Sequence, residues 1–203
     1  MKSHSYFRCA MALLMAFPAM GIAGQLLVLN KSDATLSFCR SGDGRCKRHH
    51  RNGEGPHEIE VSTDGKLAFV SNYGSQTPGS TLSVVDVRAR KELERVELGE
   101  LKRPCMGFRL SMGVCISHRD SKRIARHDVK SRRIDWQFET DRMEHTLRSP
   151  TAMGPLFVSN IASNSISVLE RTAGQWQQTL IPVGAGPEGL TYHRTVALVS
   201  AFA

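Results

Sequence analysis

Phe69-Val70-Ser71-Asn72 recurs letter for letter as Phe157-Val158-Ser159-Asn160, 88 positions further along the chain. Identity over four residues at that distance calls for a test of internal periodicity before any single strand is assigned. Midway stands Val114-Cys115-Ile116-Ser117, read as the intervening copy. A second segment follows each copy: Leu82-Ser83-Val84-Val85-Asp86-Val87, then Arg123 to Val129, then Ile166-Ser167-Val168-Leu169-Glu170. A third set carries a proline: Gly55-Pro56-His57-Glu58, Arg103-Pro104-Cys105-Met106 and Gly186-Pro187-Glu188-Gly189. Asp86 and Asp128 lie 42 positions apart, so the period is about 43 residues.

Each unit holds several short runs that alternate apolar and polar residues. Turn formers separate them: Thr63-Asp64-Gly65, Pro78-Gly79-Ser80, Ala162-Ser163-Asn164 and Thr172-Ala173-Gly174. Alternation at period two puts one face of each strand on a core, and the turns send the chain back antiparallel. A small sheet cannot bury both faces alone, so the units must stack. Repeats of about 40–45 residues with four strands each are the blades of a β-propeller. The expected fold is therefore all-β, with a partial first blade over 24–54, blades over about 55–99, 100–141 and 142–185, and an incomplete last one over 186–203.

Leu67-Ala68-Phe69-Val70-Ser71-Asn72, preceded by Val61-Ser62-Thr63-Asp64-Gly65-Lys66, resembles the SPDGxxxYVTN signature of the secreted YVTN-type β-propellers. Ser83-Val84-Val85-Asp86-Val87 is similar to that family's I-x-V-I-D strand. Val183 to Gly189 (VGAGPEG) is similar to its VGxxPxG link between blades, and Leu26-Leu27-Val28-Leu29-Asn30 through Phe38 resembles the middle of an earlier blade. The resemblance implies rings of about seven blades. It implies no single function, since such propellers include lactonase-like, haem-binding and purely binding members.

The chain has room for little more than four units and stops at Ala203, within what the repeat makes another FVSN-type strand (Val196-Ala197-Leu198-Val199). The pattern lapses over Cys39 to Asn52, Arg109 to His118 and Arg142 to Pro155. These features predict a shortened, locally frame-disturbed relative, in the extreme a degraded fragment of a longer propeller. The cysteines that follow the first twenty-odd residues, Cys39, Cys46, Cys105 and Cys115, fall in or beside the same stretches. Four cysteines allow three pairings, with Cys39 and Cys46 close enough for a short loop. No Cys-x-x-Cys-His occurs, which excludes covalent c-type haem.

Lys2 and Arg8 frame a basic start, Cys9 to Met20 is uncharged and apolar, and Gly21-Ile22-Ala23 supplies small residues before Gly24. This is the layout of a signal peptide over 1–23, predicting an exported, periplasmic or extracellular protein. The apolar run is shorter than the roughly 18–20 residues that span a bilayer, so an integral membrane protein is not expected. The formal charge of the 203-residue chain is +8, and the excess is local. Lys102 to Arg133 holds ten Lys and Arg against Asp120 and Asp128. That stretch has neither interleaved aromatics nor a recognition-helix pattern, so nucleic acid is not an expected partner and a solvated basic face is.

Aligning the FVSN strands puts His57 and His145 in one register, and the proline links bring Cys105 and Glu188 to the equivalent point. In a propeller such a position forms a ring about the axis, making these four the candidate ligand-binding residues. Imidazole, thiolate and carboxylate are all zinc-competent ligands, and the resemblance implies that a channel histidine can meet haem. No catalytic residue stands out: there is no Gly-x-Ser-x-Gly, phosphate loop, dinucleotide fingerprint or His-Glu-x-x-His. His49-His50 falls in an irregular basic loop, and Trp136 and Trp176 on outer strands of successive blades. The expected function is a non-catalytic scaffold with no demanded cofactor. It would bind a small ligand or an envelope protein or polymer, with self-association as one way to close a ring. The alternative is a lactonase-like hydrolase, or a haem- or metal-binding redox accessory, using His57 and His145.

Overall fold

The computed structural model describes residues 24–110, 113–140, 144–149, 154–193 and 196–201. The leader assigned to 1–23 lies outside the described residues. Five antiparallel sheets follow one another along the chain, each built from consecutive strands. The first has three: β1 (Gln25–Asn30), β2 (Thr35–Arg40) and β3 (Cys46–Arg51). The second has four: β4 (Pro56–Val61), β5 (Leu67–Gly74), β6 (Pro78–Asp86) and β7 (Lys91–Glu97). The third has β8 (Pro104–Leu110), β9 (Gly113–His118), β10 (Arg123–Asp128) and β11 (Arg133–Glu139). The fourth has β12 (Glu144–Arg148), β13 (Leu156–Asn160), β14 (Ser165–Thr172) and β15 (Gln175–Pro182), and the last pairs β16 (Pro187–His193) with β17 (Val196–Ala201).

Each recurring letter has a structural task. Ser62 and Asp64 build the β4–β5 turn: Ser62 donates to the Asp64 carboxylate at 2.7 Å, which also accepts from the Lys66 amide at 3.1 Å. Gly65 takes the left-handed φ of 70° that this turn requires. Asp86 and Asp128 cap the turns after β6 and β10, accepting from the Ala89 and Ser131 amides at 2.7 Å. Asn72 donates to the hydroxyls of Thr81 and Ser83 across the strand pair, both at 2.9 Å. Asn160 does the same to Ser165 and Ser167, and Asn30 to Thr35 and Ser37.

The serine of the motif holds a bulge. β4, β8, β12 and β16 each shift register where they pair with the next strand. In three of them a serine hydroxyl reaches across at that point: Ser71 accepts from the Glu58 amide at 3.1 Å, Ser159 from Thr146 at 2.9 Å and Ser200 from Gly189 at 3.1 Å. In the third sheet the shift falls later, between Met106 and Phe108, and Ser117 donates to the carbonyl of its ladder partner Cys105 at 3.1 Å. A bulge leaves backbone groups out of the ladder, and the hydroxyl satisfies one of them.

This pairing corrects two sequence alignments. The copy of FVSN in the third sheet is Cys115-Ile116-Ser117-His118, because Ile116 pairs with Ala125 as Val70 pairs with Ser83. Reading Val114 as its first residue is a slip by one. The run Val114-Cys115-Ile116 is apolar on both faces, so alternation alone cannot fix its register. In the last sheet the equivalent of the motif serine is Ser200, giving Leu198-Val199-Ser200-Ala201 rather than Val196 to Val199.

Among the described residues the core comes in three slabs, each trapped between neighbouring sheets. Leu36, Phe38, Ala68, Val70 and Val85 fill the first interface. Phe69, Leu82, Val84, Val96, Val114, Ile116 and Ala125 fill the second, and Cys115, Ile124, Leu147, Leu156, Val158 and Leu169 the third. Adjacent residues of β5, Phe69 and Val70, therefore serve opposite interfaces, as the pleat dictates. Trp136 on β11 and Trp176 on β15 meet across the third slab with ring centroids 5.2 Å apart. Two stretches where the repeat lapses carry ordinary strands. β3 runs within Cys39–Asn52, where Cys39 and Cys46 pair across strands and form a disulfide, and β9 within Arg109–His118. The described part of Arg142–Pro155 contains β12.

Candidate functional site

β4, β8, β12 and β16 pack beside one another in succession, so the first strands of the sheets lie nearest the axis about which the sheets turn. His57, Cys105 and Glu188 each stand immediately after the proline that opens such a strand, and His145 occupies the equivalent backbone position of β12. Pro56 pairs with Asn72, Pro104 with His118 and Glu144 with Asn160, so the register equivalence holds across three sheets. The side chains are not equivalent. Cys105 is buried at 0% exposure inside the third sheet and is not disulfide-bonded. Glu188 is half-buried, and its carbonyl accepts from Ser159 at 3.3 Å. The His145 side chain lies outside the described residues. Among the described residues no three His, Cys, Asp or Glu side chains converge as metal ligands.

His57 is drawn into a different constellation. Its ring stacks on Tyr73, with centroids 4.8 Å apart and planes inclined by 23°. Tyr73 directly follows Asn72, and its counterparts after Asn30 and His118 are Lys31 and Arg119. All three meet. Lys31 Nζ lies 5.0 Å from the Tyr73 ring centroid, and Arg119 Nη1 donates to the Tyr73 hydroxyl at 3.2 Å. Arg103, from the link into the third sheet, places its guanidinium carbon 4.9 Å from the same centroid. Its Nε donates to Asp120 at 3.1 Å. Three successive sheets thus converge on one half-buried tyrosine, at the end of the molecule where the first strands begin.

Among the described link residues, Arg103 stands where the others have glycine. The residue before the link proline has φ 58° at both Gly55 and Gly186, and Arg103 adopts φ 49° at the same point. A left-handed conformation costs an L-residue about 1–2 kcal/mol, which glycine avoids. The chain bears that penalty where the side chain reaches the tyrosine.

Beneath this cluster, His118 replaces the repeat's asparagine and is buried at 0% exposure. Ala125 stands where the other sheets have Ser83 or Ser167, and neither ring nitrogen of His118 has a hydrogen-bond partner among the described residues. Desolvation by burial pulls its pKa down from 6.5 to about 3, so it is neutral near pH 7. Burial likewise pushes the Cys115 thiol up to about 12, leaving it unreactive.

Known proteins resemble the chain in shape, not in sequence. No protein-family model matches it, and no curated protein does. Solved structures do: a functionally unknown protein from Desulfotomaculum acetoxidans superposes with a TM-score of 0.69 at 11% identity, covering 86% of this chain and 58% of that one. Virginiamycin B lyase from Staphylococcus aureus gives 0.66 at 13%, covering 84% and 57%, and U3-55K gives 0.67 at 10%, covering 81% and 50%. The fold is a β-propeller. The chain spans about half to three-fifths of the length of these neighbours, and the likeness extends to fold alone.

In propeller terms, the tyrosine cluster sits where the inter-blade links share one face with the β1–β2, β5–β6 and β9–β10 turns. Sequence reasoning reached His57 and missed Tyr73, Lys31, Arg119 and Arg103. The signal was available in the residue after each FVSN-type motif and the residue before each link proline. The residue after the motif differs from blade to blade, and the residue before the proline departs from glycine at Arg103, whereas the motif letters build the blade itself. The basic stretch from Lys102 to Arg133 is partly neutralised: Arg126 pairs with Asp135, Arg123 with Glu139 and Arg132 with Glu94.

Proposed function

We propose that this is an exported, non-catalytic propeller of the YVTN type. On this reading it binds a small ligand or an envelope component at the axial end of the face around Tyr73. One observation carries the reading: Lys31, His57, Arg103 and Arg119, from three successive blades, all gather on that one ring. Repeated scaffolds free such non-repeating positions for recognition, because blade geometry does not depend on them. The signal-peptide pattern supports export, and the Cys39–Cys46 disulfide is compatible with it.

The test combines cofactor content, turnover and binding on the purified chain. The expected result is no co-purifying haem or metal and no lactone hydrolysis by wild type. Fragments that perturb the Tyr73 ring resonances should lose that effect in Arg119→Gln, which keeps the ring. Lactone hydrolysis abolished by His57→Ala or His145→Ala would instead establish an enzyme.

A further inference from the structure

Resting on that reading, we infer that the site around Tyr73 takes the carboxylate or phosphate group of a small organic anion. Lys31, Arg103 and Arg119 bring three positive charges to one ring, and Asp120 answers one of them. Among the described residues neither Lys31 nor Arg119 has an ion-pair partner. Like charges at such separations repel, and the π face of a tyrosine returns only about 0.5–1 kcal/mol for each exposed cation. A folded protein that gathers them at an otherwise neutral ring leaves a surplus that an anion completes.

The link into the third blade strengthens the assignment. Arg103 stands in a left-handed conformation that the other described links give to glycine. Glycine would avoid the penalty there, and arginine instead brings a guanidinium to the Tyr73 ring. Arginine and lysine donors aimed from different strands suit the several acceptor lone pairs of a carboxylate or phosphate. Arg103 and Arg119 are half-buried, which strengthens their bonds relative to open water.

The experiment follows Tyr73 ring resonances in the full chain during titration with citrate and with inorganic phosphate at constant ionic strength. Arg119→Gln, Lys31→Gln and, as a control in the same basic stretch, Arg133→Gln are compared. Saturable shifts at Tyr73 are expected in wild type and Arg133→Gln, with affinity weakened about tenfold or more in Arg119→Gln and in Lys31→Gln. Equal weakening in Arg133→Gln, or shifts that never saturate, would reduce the effect to general charge screening and overturn the inference. If neutral fragments perturb Tyr73 while both anions leave it unmoved, the anion assignment falls and the binding site stands. If nothing perturbs Tyr73, both fall.

Discussion

His118 shows how one substitution in a repeat changes the chemistry beneath it. Where Asn72 and Asn160 donate to two hydroxyls, His118 faces an alanine position and keeps both nitrogens unpartnered. A base whose folded pKa lies below its unfolded value binds fewer protons in the native state. Stability is therefore full above about pH 6.5 and falls as the pH drops toward about 3, by at most about 1.4 kcal/mol per unit. His127 is also depressed by burial and acts in the same direction. The double change His118→Asn with Ala125→Ser rebuilds one of the asparagine's two bonds, worth about 1 kcal/mol, and removes the larger titration. Urea unfolding at pH 7 and pH 4.5 should show a smaller acid loss in the double variant than in wild type. An unchanged acid loss would place the proton uptake elsewhere.

At the scale of the strand, legibility followed what each letter does. Ser62-Thr63-Asp64-Gly65, Asn72 and Asp86 were readable because turn and ladder chemistry demands those residue types locally. The register of β9 was not, since its apolar run faces both neighbouring blades and alternation cannot tell which residue opposes which; the pairing with β8 and β10 decides it. Tyr73 was harder to read for a different reason: its partners Lys31, Arg103 and Arg119 come from other blades, so only a comparison of equivalent positions between blades, and no local rule, points to it. β3 shows local reinforcement where the repeat lapses. The Cys39–Cys46 bridge closes a separation of 7 residues at the mouth of the β2–β3 hairpin. Loop-closure entropy for so short a ring gives about 2–3 kcal/mol. Cys39→Ser with Cys46→Ser should lower unfolding stability by about that amount under oxidising conditions, and a reductant should bring wild type to the same value. If reduction leaves wild type unmoved, the bridge does not contribute.

Across the whole molecule, the three hydrophobic slabs couple each blade only to its neighbours. Stability in such an array is nearly a sum of blade terms and interface terms, so damage to one interface should stay local. Trp136 and Trp176 test this, because they belong to different blades and meet within the third slab. An aromatic pair of this kind is worth about 0.5–1.5 kcal/mol beyond its buried area. The two alanine variants, Trp136→Ala and Trp176→Ala, should therefore be non-additive by about that much in a double-mutant cycle. Hydrogen exchange on the double variant locates the damage. Amides of β9, β10, β13 and β14 should lose protection, while β1 and β2, two interfaces away, keep theirs. An equal loss in every sheet would mean that the five sheets open as one cooperative unit. The interface energies would then be shared around the axis rather than held between neighbours.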